Sequence, residues 1–172
     1  MARRVLGVTR CALGYPDEAL RLCREAVDAA PTAQARALAC LYFASVLLDV
    51  GKCEEAVNVA RASVADVDLA GIDRSTAGYL DAVAAEGLMR LGRWPEAAAL
   101  LARHPEPDNL PVGEIRLGRT RAMLAARQGD RDHAEAHLVD AASQPIDAWH
   151  RPLVDAAAAD VLLILSDWER AA

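Results

Sequence analysis

The 172-residue chain is expected to be all-α, an α-solenoid of antiparallel helix pairs with about four and a half repeats, and three observations predict this. The first is repetition. The segments GYPDEA (Gly14 to Ala19), GKCEEA (Gly51 to Ala56), GRWPEA (Gly92 to Ala97), GDRDHA (Gly129 to Ala134) and SDWERA (Ser166 to Ala171) are variants of one pattern. Their first residues lie 37, 41, 37 and 37 apart. A period in that range marks stacked helix–turn–helix units. The second observation is a pair of small-residue columns. Ala19, Ala56, Ala97, Ala134 and Ala171 follow the anchors, and Gly7, Ala44, Ala85, Ala122 and Ala159 precede them at fixed distance. Alanine is abundant, but abundance alone does not align columns, and Leu13, Val50, Leu91 and Leu165 form another just before the anchor. The third is that no segment sustains period-two alternation, so essentially no strand is expected.

The elements follow in chain order. A helix over approximately 2–13 ends at Gly14, because a glycine past the last turn adopts the left-handed conformation that satisfies free carbonyls. Its partner over 16–29 starts with Pro16, where a missing N–H costs nothing, and Asp17 and Glu18 complement its dipole. Pro31 breaks the chain before a helix over 33–50, which Gly51 ends. Glu54 and Glu55 open the next, over 53–69. The longer interval places its extra residues around Asp68 to Thr76, with Gly71 as the breaker. The third pair spans 74–91 and 94–103, with Pro95 and Glu96 in the first turn of its second helix. After the stretch His104 to Pro111 come helices over 113–128 and 130–143, the latter opened by Asp130 and Asp132. Ser143 to Asp147 lead to a helix over 151–165. Ser166 then ends it in the anchor position, and a fragment of a further helix starts at Asp167. The units are approximately 1–31, 32–71, 72–108, 109–145 and an incomplete 146–172, in a single domain. The small columns fall where paired helices cross, since a large side chain would hold the backbones apart.

These features resemble the tetratricopeptide repeat over almost the whole chain. The matching pieces are Leu6-Gly7, the five anchored segments, the later small residues Ala26, Ser63 and Ala141, and the closing Pro31. Trp94 and Trp168 stand where that family usually has an aromatic ring, whereas His104 replaces the later small residue of the third unit. The resemblance implies a right-handed solenoid whose first helices line a concave surface, and a role in holding a protein or peptide partner. The long period, alanine-plus-arginine composition and loose consensus resemble more specifically the repeat region of large MalT-like and LuxR-type bacterial transcription regulators. That implies protein–protein interaction or signal relay, with a flanking ATPase or DNA-binding domain in a longer relative. The sequence itself contains neither a G-x-x-x-x-G-K-[ST] loop nor a recognition-type helix-turn-helix.

Composition narrows the function. With 53% apolar residues the chain can bury a continuous core, and at 4% aromatic that core is mostly aliphatic. A net charge of −6 disfavours direct binding to nucleic acid or anionic lipid. The basic start MARRVLGVTR has too short an apolar run for a signal peptide, and no stretch reaches membrane-spanning length, so a cytoplasmic location and no membrane partner are expected. Cys11, Cys23, Cys40 and Cys53 contain no C-x-x-C pair and read as small apolar fillers, with a redox disulfide between Cys11 and Cys23 as the alternative. His133 and His137 can share one helix face, but the order H-A-E-A-H misplaces Glu135 for a zinc protease and no third ligand is identifiable. No nucleophile stands with a recognisable base and orienting acid. No enzyme, catalytic residue, metal or cofactor is therefore expected.

The functional question becomes which face binds. Candidate concave-face residues, taken as not needed for helix packing, are Arg4, Leu41, Ser45, Tyr79, Glu86, Arg90, Arg116, Arg119, Met123 and Arg127. The last four follow i, i+3, i+7, i+11 spacing and form one stripe. Such a stripe can hold acidic peptide side chains through forked contacts, or serve an effector-binding sensor that takes a small acidic ligand. The plain alternative is a solvated face balanced by acids such as Glu86 and Glu114. The last helix contains VLLILS (Val161 to Ser166), apolar around most of its circumference, and such a helix expects cover. A further repeat, or a homodimer through Leu162, Leu163, Leu165 and Trp168, is expected to supply it.

Overall fold

The computed structural model describes residues 2–69, 74–104, 111–143 and 151–171, and the regular structure among them is entirely helical. The helices are α1 (Ala2–Ala12), α2 (Pro16–Asp28), α3 (Ala33–Asp49), α4 (Cys53–Leu69), α5 (Arg74–Arg90), α6 (Trp94–Leu101), α7 (Pro111–Arg127), α8 (Arg131–Ser143) and α9 (Arg151–Ala171). Gly71 and the connecting stretches 105–110 and 144–150 lie outside the described residues. The chain gathers into two compact units, Met1–Leu100 and Leu101–Ala172.

Four helix ends are built alike. Gly14, Gly51, Gly92 and Gly129 have φ of 83°, 80°, 75° and 77°, a region closed to most side chains. At each, the glycine N–H donates three residues back and the following N–H donates five residues back. For Gly51 these are the bonds to Leu48 at 3.0 Å and from Lys52 to Leu47 at 2.8 Å. For Gly129 they are the bonds to Ala126 at 3.0 Å and from Asp130 to Ala125 at 2.9 Å. This is the Schellman arrangement, which satisfies the last carbonyls of the first helix. The residue after each glycine then starts the second helix. The carbonyls of Tyr15, Lys52, Arg93 and Asp130 accept from Ala19, Ala56, Ala97 and Ala134. Those four alanines are fully buried, so each of these four segments ends on a core residue.

Ser166 does not do this. The helix expected to stop at 165 continues as α9 to Ala171. Serine has no access to the left-handed conformation at glycine's low cost, and the Ser166 hydroxyl instead donates to the Leu163 carbonyl at 2.8 Å within the helix. The expected break and the separate fragment after it are therefore replaced by one continuous helix. Ala159, the fifth member of the preceding small-residue column, is exposed, whereas Ala44, Ala85 and Ala122 are wholly buried.

In the first unit α3 is central. It packs against α1, α2, α4 and α5, and α4 also packs against α5. Its side chains are accordingly buried on more than one side, from Ala37 and Ala39 through Phe43 and Ala44 to Leu47 and Leu48. Thr32 caps its start by accepting from the Ala35 N–H at 3.1 Å. Two helical glycines mark close approaches. A Cβ on Gly7 would lie 2.5 Å from the Cys23 sulfur, and one on Gly87 would lie 2.8 Å from Val57 Cγ2. In the second unit α7 packs against α8 and α9, and α8 against α9. Ile115, Leu117, Ala122, Ala134, Val161 and Leu165 form its core. Thr120 is fully buried there and donates its hydroxyl to the Arg116 carbonyl at 2.8 Å, which removes the cost of the buried group.

Candidate interaction site

The residues proposed from sequence for a binding groove divide between the units. In the first unit Leu41 is 8% exposed and Glu86 3% exposed, so both belong to the core. The expectation that they are surplus to packing is corrected: α3 and α5 are covered on several sides and have no free apolar face. Arg90 is also committed. It stands in the last turn of α5, pairs with Glu86 at 2.9 Å, and donates to the Leu48 carbonyl at 2.7 Å. Tyr79 and Ser45 are half-buried, and the Ser45 hydroxyl donates to Leu41 O. Arg4 is half-buried with its guanidinium 5.3 Å above the centre of the Tyr42 ring. Sequence reasoning did not connect Arg4 with Tyr42, because no local spacing signals a contact between α1 and α3.

In the second unit Arg116, Arg119 and Arg127 are half-buried along α7, and Met123 between them is buried. The stripe spacing is real, yet Met123 serves packing rather than a surface. Arg121, on a neighbouring face of α7, donates to the His104 carbonyl. His133 also has a structural task. Asp130 accepts from its backbone N–H at 3.2 Å and from its ring at 2.7 Å, which caps the start of α8. Burial holds the His137 imidazole below its ordinary basicity, with Arg121 acting in the same direction. Among the described residues no group of three or more His, Cys, Asp or Glu is placed to hold a metal ion.

Among the described residues the C-terminal helix carries exposed apolar side chains. Leu162 and Leu163 are 57% and 62% exposed, and Ala156 and Ala159 are exposed beside them. At 100° per residue, Ala156, Ala159 and Leu163 form one stripe, flanked by Asp155 and Asp160. Val161 and Leu165 point the other way, into the core of the unit. Leu165, expected on an association surface, is thus buried, whereas Leu162 and Leu163 are exposed. The side chain of Trp168 lies outside the described residues. No family model matches the chain, and no curated protein or solved structure shows significant similarity to it. The functional reading rests on these surfaces.

The cysteines add a boundary condition. All four are free thiols. Burial pushes the Cys23 thiol up to about 11, with Cys11 reinforcing the effect, and burial raises Cys40 as well. Thiols held in that state are poor nucleophiles at neutral pH. Among the described residues no helix is long and apolar enough to cross a membrane.

Proposed function

We propose that the chain is a tetratricopeptide-like, right-handed α-solenoid of antiparallel helix pairs that holds a protein partner. In this reading it is an interaction or signal-relay module of a bacterial transcription regulator, cytoplasmic and without catalysis of its own. The observation that carries the reading is one turn built four times, with the same left-handed glycine and the same pair of hydrogen bonds, at near-constant spacing. Like turns recurring between successive helices favour stacking of helix pairs, and arrays of that kind present extended surfaces to partners. The net charge of −6 directs the choice towards protein rather than nucleic acid.

The partner surface is the stripe of Ala156, Ala159 and Leu163 on α9, with Leu162 beside it across Asp155. At the other anchors the preceding small residue is covered by a neighbouring helix, and at Ala159 it is open. A partner helix laid along the stripe would bury both leucines at about 25 cal/mol for each Å² removed from water. In-cell photo-cross-linking tests this. A photoreactive residue replacing Leu163 should give a discrete protein adduct, and the same residue replacing the exposed Asn58 on α4 should give none. An adduct of twice the chain mass would identify the partner as a second copy. Equal labelling from both positions, or none from either, contradicts the proposal.

A further inference from the structure

The first unit contains a cavity of about 320 Å³ between α1 and the link from α2 to α3. That volume is at the lower end of the range for small-molecule sites. Its walls are methyl groups, from Ala26 and Ala30 on the α2 side and Ala35 and Ala39 on α3, and Arg3 and Arg4 provide its charge. These two arginines differ from most others in the unit. Arg10, Arg21, Arg61, Arg90 and Arg93 each pair with a glutamate, whereas among the described residues neither Arg3 nor Arg4 has an acidic partner. The Arg4 guanidinium is oriented by the Tyr42 ring, and its Nε is shielded from water with no hydrogen-bond partner among the described residues.

We infer that this cavity binds a short aliphatic monocarboxylate, with its carboxylate on Arg4 and Arg3 and its hydrocarbon part against the alanine methyls. The choice of a single negative charge comes from the helix ends. Ala35, in the first turn of α3, offers no free donor because Thr32 accepts its N–H, and the end of α2 at Ala29 and Ala30 brings the negative pole of a dipole to the same space. A second carboxylate, or a phosphate dianion, would face that pole. The alanine walls also supply no side-chain donors for further oxygens, so selectivity falls to the hydrocarbon part. The inference is independent of the partner surface on α9.

Two-dimensional ¹H–¹⁵N NMR titration of the whole chain with butyrate tests the inference, with succinate and inorganic phosphate as the other probes. Butyrate should shift the amides of Ala30, Ala35 and Ala39 saturably, and succinate and phosphate should bind at least about fivefold more weakly. Arg4→Gln should weaken butyrate at least about fivefold, and Arg61→Gln should leave it unchanged. Because Arg4→Gln also removes the stacking on Tyr42, Ala35→Leu serves as a second variant: it fills the cavity, leaves both arginines in place and should abolish the shifts. Non-saturating shifts, or saturation unaffected by Ala35→Leu, would overturn the site. Phosphate or succinate binding as tightly as butyrate would overturn the monocarboxylate assignment.

Discussion

Arg90 donates to the carbonyl of Leu48 across 2.7 Å, tying the last turn of α5 to the end of α3. The same guanidinium holds the buried carboxylate of Glu86 at 2.9 Å. The contact therefore gives the Leu48 carbonyl, which already accepts from the Gly51 N–H, a second donor, and it compensates a charge removed from water. Arg90→Met should destabilise the first unit by about 1–2 kcal/mol, less than a fully buried pair because Arg90 itself is exposed. Adding Glu86→Leu should recover part of the loss. Urea unfolding of the single and double variants measures this, and additive losses would show that the pair is not coupled.

The crossing of α1 and α2 depends on Gly7. A methyl there would meet the Cys23 sulfur at 2.5 Å and the Ala19 carbonyl at 3.2 Å, so something must shift. Alanine favours helix over glycine by about 1 kcal/mol, but overpacking of this kind costs about 1–3 kcal/mol. Gly7→Ala should therefore be destabilising, and Cys23→Ala in the same chain should relieve most of the cost. Gly118, whose added methyl would sit 3.1 Å from Ala141 Cβ, should tolerate alanine with little net change. Thermal melts that rank Gly118→Ala below Gly7→Ala would reject this account of the crossing.

Each glycine turn was legible in the sequence because it is a single-residue requirement: only glycine reaches φ near 80° cheaply. The helix bounds followed to within about two residues, apart from the end of α9. Ser166 misled because a column records position, while the turn depends on backbone freedom that serine lacks. The groove residues were less legible for a different reason. Assigning a face requires polar and apolar sides to differ, but α3 and α5 are covered on several sides, so Leu41 and Glu86 carry no local mark of burial. The Arg90–Leu48 and Arg4–Tyr42 contacts join residues far apart in sequence, and no spacing announces them.

The contrast between anchors can be measured directly. Gly51→Ala and Gly92→Ala force a methyl into the left-handed region and should each cost about 1–2 kcal/mol. Ser166→Ala lies inside a continuous helix and should be neutral or stabilising by about 0.5 kcal/mol at most. A loss at Ser166→Ala equal to that at the glycines would mean that Ser166 terminates a helix after all.

Acid should weaken the fold in two stages. Burial lowers His137 below its ordinary 6.5, so the unfolded chain takes up that proton more readily. Stability then falls as pH drops through 6.5, and the His137 loss is complete below the folded value. The His133 backbone N–H lowers Asp130 below 3.8, and the Arg93 hydrogen bond lowers Glu96 below 4.5. Their contributions are fully present above those ordinary values and are lost as pH falls through the folded ones. Urea midpoints at about pH 7.5 and about pH 5.5 should differ less for His137→Gln than for the natural chain. Identical differences would exclude His137 as the source of the first stage.

The open stripe on α9 is proposed to be a protein-binding surface and not an incidental patch. Leu163 is exposed, so Leu163→Glu should leave the helical circular-dichroism signal and the melting temperature unchanged. The most direct measurement is the in-cell cross-linking yield from a photoreactive residue at Ala159, compared with and without Leu163→Glu. A fall of about tenfold, corresponding to about 1.4 kcal/mol of lost binding, is the expected result. An unchanged yield from a folded Leu163→Glu chain would contradict the claim.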